Sequence, residues 1–386
     1  MPRPIYLDHH ATTPLDPRVF EAMRPYFLEA FGNPHSADHA YGWEAEAGVE
    51  AARRAIARLI GAAAGEIVFT SGATEANNLA LRGAAARLPE GRRHLVASTI
   101  EHPCVAAVVD RLEADGFAVT RVDPGADGIV PAEAVAAALR PETGLVTVMA
   151  ANHEIGTLQP IGAIGALTRA RGILFHSDAA QAAGKVPLDV VAAKVDLMSL
   201  SAHKMYGPKG IGALHVRRGV ALEPLILGGG QERGLRSGTV PAPLAVGFGA
   251  AAGIAQAEMD GEALRLKALR ERLRAGLAAR IPGLRVNGEL ERRLPGNLDL
   301  ALPGIAAIDL IHRMKDRVAV SAGSACASAS LEPSPVLGAI GLDDAAALGS
   351  IRIGLGRGTT EAEIDAAIAA VAEAWSALTG LACAMA

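Results

Sequence analysis

Glu66-Ile-Val-Phe-Thr70, running straight into Ser71-Gly-Ala-Thr74-Glu-Ala-Asn-Asn78, is the stretch that decides the architecture. A short apolar run of β type ends in a turn of small residues, and helical spacing resumes at once. The pattern extends outward from there. Residues 43–60 have helical spacing ahead of it. Behind it, His94–Ser98 reads as a strand and 103–115 as a helix. Leu145–Met149 reads as a strand, 161–171 as a helix and Ile173–Ser177 as a strand, with further strands at Leu197–Ser201 and Gly212–Val216. Strand–helix alternation of this kind predicts an α/β fold with a mostly parallel sheet covered on both faces.

After residue 257 the texture changes. A charged helix is expected over 258–280, with short strands near Arg285-Val286 and Asn297–Leu300. A Ser/Ala/Gly loop follows over 321–335, then a strand at Ser350–Gly356, and Thr360 with Glu363 forms a capping-box signal for a last helix. The chain has 386 residues, more than one compact domain of ordinary size needs. The expected division is a large domain over 15–257 and a smaller α+β domain built from 1–14 and 258–386. The uncharged stretch Ser237–Ala257 is rich in Ala and Gly and contains Pro241 and Pro243. It reads as a loop followed by a buried helix rather than a membrane span.

Half of the residues are hydrophobic, yet aromatics are only 3%. Alanine supplies much of the difference, so small side chains are expected at the packing surfaces. The formal net charge is −4 and no Lys/Arg block stands out, which argues against a nucleic-acid or anionic-membrane surface. The first residues have no apolar run of signal-peptide type. The cysteines Cys104, Cys326 and Cys383 are few, odd in number and not spaced for zinc. They fit a reducing cytoplasm better than a disulfide framework.

Four constellations carry possible chemistry. The turn before Thr74 opens a helix, whose free N–H groups and dipole make a phosphate seat; it could equally be an ordinary strand-to-helix turn. No Walker-type GxxxxGK[ST] sequence is present. Asp178 follows the apolar run 173–177, at the sheet edge where α/β proteins bind ligands. It would need a cationic partner there, or it is only a helix N-cap. Lys204 follows a strand and precedes a Gly/Pro turn. In apolar surroundings it could form a Schiff base, whereas on the surface it would be a solvated lysine, as Lys209 is expected to be. Cys326 lies in Ser321-Ala-Gly-Ser-Ala-Cys-Ala-Ser-Ala-Ser330, where a thiol on a mobile loop could reach a substrate and swing away. Cys104 lies in an apolar helical run and is expected in the core, and Cys383 lies in an apolar tail. His35 and His39 lack a third ligand for a metal, and Gly228–Gly230 reads as a turn.

Taken together these segments resemble the NifS/IscS-type cysteine desulfurases, a pyridoxal-phosphate (PLP) family of the class-V aminotransferase-like, type I fold. The matching stretches are Tyr6–Pro14, Phe31–Pro34, Ser71–Asn78, Glu101-His102, Glu154–Gly156, Asp178–Gln181, Ser201–Lys204, Gly228–Thr239 and Ser321–Ser334, in order and in register. The resemblance implies a mostly parallel seven-stranded sheet in the large domain, PLP as cofactor, L-cysteine as substrate and a homodimer with shared sites. It also implies a sulfur-acceptor protein such as an iron–sulfur scaffold.

The resemblance further implies roles for single residues. Lys204 would hold PLP as a Schiff base and move the α-proton. Asp178 would pair with the pyridine nitrogen, His102 would stack on the ring, and Gln181 would contact the phenolic oxygen. Thr74, Ser201 and His203 would bind the phosphate, with backbone donors near Ala73, and Thr239 would reach the phosphate of the neighbouring subunit. Asn33 and Arg352 would clamp the substrate carboxylate, and Cys326 would take the sulfur as a persulfide. The chain departs from the family pattern at His153, where a second asparagine is usual beside the phenolic oxygen, and in its short C-terminal tail. A selenocysteine lyase or aminotransferase of the same fold would use Asp178 and Lys204 equally well but would not need Cys326. A PLP-binding partner without activity would be expected to have lost part of this set.

Overall fold

The computed structural model describes residues 3–322 and 333–380, so Cys326 and Cys383 lie outside the described residues. From the N-terminus, β1 (Ile5–Tyr6) is followed by β2 (Ile67–Thr70), β3 (His94–Ser98), β4 (Ala118–Val122), β5 (Thr143–Thr147), β6 (Leu174–Asp178), β7 (Leu197–Ser201) and β8 (Gly212–Val216). The strands β2 to β8 form one seven-stranded sheet in the order β2-β8-β7-β6-β5-β3-β4. Neighbours from β4 through β7 run parallel, while β8 is antiparallel to both β7 and β2. Because β2 and β7 each oppose β8, they point the same way. The carboxyl ends of β2, β3, β6 and β7 therefore share one edge, and Thr70, Ser98, Asp178 and Ser201 lie along it.

The sheet interior is legible in its residues. β2, β3, β5, β7 and β8 are buried along their whole length, as a sheet covered by helices on both faces requires. The strand expected at Leu145–Met149 starts two residues earlier, at Thr143, and Asp178 is the last residue of β6 rather than the one after it. The turn between β2 and the helix Ala73–Ala85 closes tightly on β8. A Cβ at Gly212 would lie 2.6 Å from the carbonyl carbon of Gly72 and 2.6 Å from the Leu200 oxygen, so only glycine lets the turn seat there.

Small residues set the helix packing, as the alanine content suggests. The helix Ala40–Leu59 crosses Ala242–Ala278 so closely that a Cβ on Gly249 would sit 2.4 Å from the Cα of Ala52. Residues 237–241 form the expected loop, while the buried helix and the separate charged helix expected after it are in fact one helix, Ala242–Ala278, of 37 residues, about 55 Å long. Its first half, through Ala255, packs in the large core. Leu266, Leu269, Leu273 and Leu277 on its second half pack in another. The change of composition at 257 marks the passage between cores, not a break in the backbone.

The second core gathers Leu7, Leu298, Leu300, Ile351, Ile353 and Trp375. It is built on a three-stranded antiparallel sheet of β9 (Arg285–Val286), β10 (Asn297–Ala301) and β12 (Ser350–Gly354), while β1 pairs in parallel with β11 (Val318–Ala319). Val336, Leu337 and Ile340 pack against the large core instead. The last helix, Glu361–Thr379, begins at the expected capping box: Thr360 Oγ accepts from the Glu363 N–H at 3.2 Å, and Glu363 accepts from the Thr360 N–H at 2.8 Å. Among the described residues no helix is long and apolar enough to cross a membrane.

Candidate active site

The shared strand edge opens on a cavity of about 500 Å³. Its wall includes Ala73, Thr74, His102, His153, Asp178, Gln181, Ser201, His203 and Lys204, nine of the residues singled out in the sequence. Separate strands deliver them to one place. Asp178 ends β6, Ser201 ends β7, and Lys204 closes a single 3₁₀ turn, Ala202–Lys204. His102 is the N-cap of the helix Pro103–Ala114, and Ala73 and Thr74 open the helix Ala73–Ala85.

Asp178 is buried and held from two sides. Asn77 Nδ2 donates to one carboxylate oxygen at 2.7 Å and the Ala180 N–H to the other at 2.8 Å. No cationic side chain pairs with it among the described residues. A carboxylate buried without a cation is costly unless a ligand supplies one. Half-buried Lys204 donates from Nζ to the carbonyls of His10 at 2.6 Å and Ala11 at 2.8 Å. The segment His10–Thr13 thereby crosses from the second core to the cavity. It also binds His203, whose Nδ1 is 3.0 Å from Thr12 Oγ. Burial, with Lys204 nearby, brings His203 down to about 4. Gln181 is fixed by His10 as well: its Nε2 donates to the His10 carbonyl at 2.9 Å and its Oε1 accepts from Lys185 Nζ at 3.1 Å.

The two imidazoles of the wall meet edge to face, with centroids 5.0 Å apart. Burial first, and then the neighbouring His153, lower His102 to about 4. His153 is buried, and neither of its ring nitrogens has a hydrogen-bond partner among the described residues; Nε2 lies 3.4 Å from Glu154 Oε1. At the other end of the cavity the first N–H groups of the helix Ala73–Ala85 have no partner within the helix. Glu75 caps the Ser71 N–H at 2.7 Å and pairs with Arg236 at 2.8 Å, which ties the segment 228–239 to this turn.

Other expected residues lie elsewhere. Arg352 is buried on β12 behind the cavity, donating to the His153 carbonyl at 2.9 Å and paired with Asp8 at 3.0 Å. Its Nε finds no partner among the described residues. Asn33 and Thr239 are exposed and do not line the cavity. Cys104 corrects an expectation. It is half-buried rather than sealed in the core, and it forms part of the cavity wall beside His102. Reading the sequence also missed Asn77, although position i+3 from Thr74 places it on the same helical face. The weak candidates resolve simply. His39 caps the helix Ala40–Leu59 through the Gly42 N–H, and among the described residues no three His, Cys, Asp or Glu side chains are grouped to hold a metal.

These features fit PLP. An uncompensated carboxylate can face a protonated pyridine nitrogen. Two imidazoles can flank a flat ring, a lysine lies within the wall, and a helix N-terminus with Thr74, Ser201 and His203 can take a phosphate.

Comparison with known proteins agrees. The model of the aminotransferase class-V family matches residues 5–367, and the chain belongs to that family. The cysteine desulfurase IscS of Anaeromyxobacter dehalogenans (strain 2CP-C) is 55% identical over 367 residues, covering 95% of this chain and 91% of that protein. The cysteine desulfurase of Homo sapiens is 52% identical over 365 residues, covering 94% and 80%. Among solved structures, a NifS-like protein superposes with a TM-score of 0.91 at 37% identity over 98% of this chain and all of that one. The structure described as SspA in complex with cysteine gives 0.80 at 40% identity, over 91% and 98%. Within its family the chain is a PLP-dependent cysteine desulfurase of the NifS/IscS type.

Proposed function

We propose that the chain converts L-cysteine to L-alanine and passes the sulfur on as a persulfide of Cys326. The observation that carries this reading is the joint presence of Lys204, Asp178 and His102 in one cavity wall, opposite a helix N-terminus.

When bound, PLP withdraws electrons from the substrate's α-carbon and so makes its C–H and then its C–S bond labile. Asp178, fixed by Asn77 and the Ala180 N–H, would keep the cofactor's ring nitrogen protonated. Lys204 would hold the cofactor between turnovers and then, released by the substrate amine, carry the α-proton. Its present contacts, the His10 and Ala11 carbonyls, give the ammonium a place to rest. His102 would cover the ring. His153, whose Nδ1 has no hydrogen-bond partner among the described residues while Nε2 faces Glu154, would donate to the phenolic oxygen beside Gln181. Thr74, Ser201, His203 and the N–H groups at Ala73 would seat the phosphate. Arg352 would hold the substrate carboxylate, which requires it to share its guanidinium with Asp8; Asn33 would assist. The Cys326 thiolate would attack the substrate sulfur. The C–S bond breaks, its electron pair takes up a proton on carbon, and alanine leaves.

The working form proposed is a homodimer. Thr239 is exposed and away from its own cavity, in keeping with a reach toward a partner's phosphate. Phe31 and Tyr41 lie with ring centroids 5.4 Å apart on an exposed surface that would favour cover. The acceptor proposed is an iron–sulfur scaffold protein, in line with the IscS name of the bacterial relative, and the compartment a reducing cytoplasm. The test is to record the visible spectrum of the purified protein, add L-cysteine with a reducing thiol and assay alanine and sulfide together. Equal amounts of both are expected. Pyruvate, or alanine without sulfide, would refute the reading.

A further inference from the structure

The cavity wall contains a continuous relay of side chains with one member, Cys104, that the desulfurase chemistry above leaves unused. It begins at Asp178. Asn77 Nδ2 donates to Asp178 at 2.7 Å and also lies 3.1 Å from Cys104 Sγ. Cys104 Sγ in turn lies 3.0 Å from His102 Nδ1. The amide of Asn77 has two N–H bonds, enough for both contacts, and it has no acceptor role toward the sulfur.

The directions of these bonds follow from the chemistry of each atom. Burial, then the charge of Asp178, pushes the Cys104 thiol up to about 12, so the sulfur keeps its proton. The Asn77 amide donates to that sulfur, and the nearby Thr74 hydroxyl can do the same. The S–H bond is then left to point at an acceptor, and His102 Nδ1 stands at hydrogen-bond distance. The Cys104 backbone N–H aims at the same nitrogen from 3.2 Å. Two donors converging on Nδ1 require a lone pair there. The remaining ring proton must sit on Nε2.

We infer that Cys104 is a positioning residue: through its S–H bond to Nδ1, backed by Asn77, it holds His102 as the Nε2–H tautomer and couples its orientation to that of Asp178. The two groups proposed to face the cofactor ring are then set by one relay rather than independently. Neutral His102 can donate from Nε2 but cannot readily accept a proton at Nδ1. The charged or titratable groups bearing on it are His153, Asp178, Lys204 and Glu154, and all of them remain in a Cys104 variant.

This inference rests on His102 facing the cofactor as proposed above, so its test includes a readout that needs neither cofactor nor turnover. The ring nitrogens of His102 are observed by long-range ¹H–¹⁵N NMR on the full chain, with and without PLP, the signal being assigned by its loss in His102→Gln. The wild type is expected to show an unprotonated Nδ1 and a protonated Nε2. Cys104→Ala keeps the backbone N–H on Nδ1 and loses only the S–H donor; it is expected to admit a minor share of the Nδ1–H tautomer and to raise the His102 midpoint by about half a pH unit, one weak hydrogen bond's worth. Cys104→Ser retains a donor and is expected to restore the wild-type tautomer. In the PLP-loaded protein the pH midpoint of the visible band is expected to move with Cys104→Ala and return with Cys104→Ser. If Cys104→Ala leaves both nitrogens and the midpoint unchanged, the inference is overturned. Should that variant not fold, a Cys104→Ser protein with an altered tautomer overturns it equally. Failure of the alanine and sulfide assay would instead strike the desulfurase reading and leave the NMR result standing.

Discussion

Asp178 and Asp299 are both buried aspartates on sheet strands, one at the end of β6 in the large core and the other within β10 in the second core. Asp178 takes an N–H on each carboxylate oxygen and opens onto the cavity. Asp299 takes one side-chain donor, Asn287 Nδ2 at 2.7 Å; its Oδ2 has no partner among the described residues, and the residue is fully buried. Burial raises Asp299 to about 7. A sealed carboxyl thus meets the cost of burial by keeping its proton. One with paired donors and an open side is built to receive a cation. The difference separates an acid that serves a ligand from one that belongs to the fold.

The largest test of this contrast removes the amine that shares the cavity with Asp178. Lys204→Ala is expected to cut steady turnover by roughly a thousandfold or more while leaving the fold intact. Sustained turnover would remove Lys204 from its assigned role. Asp178→Asn comes next. Without a negative charge facing the pyridine nitrogen, alanine formation is expected to fall on the order of a hundredfold, with a changed visible spectrum. Near-normal turnover would mean that the carboxylate is structural, like Asp299. The smallest effect on turnover is expected for Asp299→Asn, whose change is one of stability.

The sign for Asp299 follows from linkage. Unfolded, this carboxyl titrates near its ordinary value of about 4; folded, it titrates at about 7. Between these values the native state holds a proton that the unfolded chain has released. The contribution of Asp299 to stability is therefore full below about pH 4, falls as the pH rises toward 7, and stays low above it. An amide does not titrate. Relative to wild type, Asp299→Asn should gain stability between pH 4 and pH 8, by about 4 kcal/mol, in urea unfolding at the two pH values. Equal differences at both would show that Asp299 is not held protonated.

The same contrast explains what could be read from the sequence. Thr74, Asp178, Ser201 and Lys204 stand where strands stop, and punctuation by Gly, Ser and Pro marks such places locally. Asn77 and Cys104 lie within helices that look like ordinary packing segments. Their function depends on which neighbour their helix faces, a tertiary fact. Arg352 shows another limit: a strand residue whose value comes from burial against Asp8 and the His153 carbonyl. The helix Ala242–Ala278 was hidden for a different reason. Its first half is apolar on every side because it is buried between elements, and its second half is amphipathic. The breadth of the apolar face changes along one continuous backbone.

The central claim concerns the sulfur, and Cys326→Ala tests it most directly. The PLP-loaded variant would be mixed with L-cysteine and a reducing thiol, and sulfide and protein-bound persulfide would be measured beside wild type. The expected result is a protein that keeps the cofactor's colour and perturbs its spectrum on adding cysteine, yet forms no persulfide and releases no sulfide. Sulfide release at the wild-type rate would contradict the account.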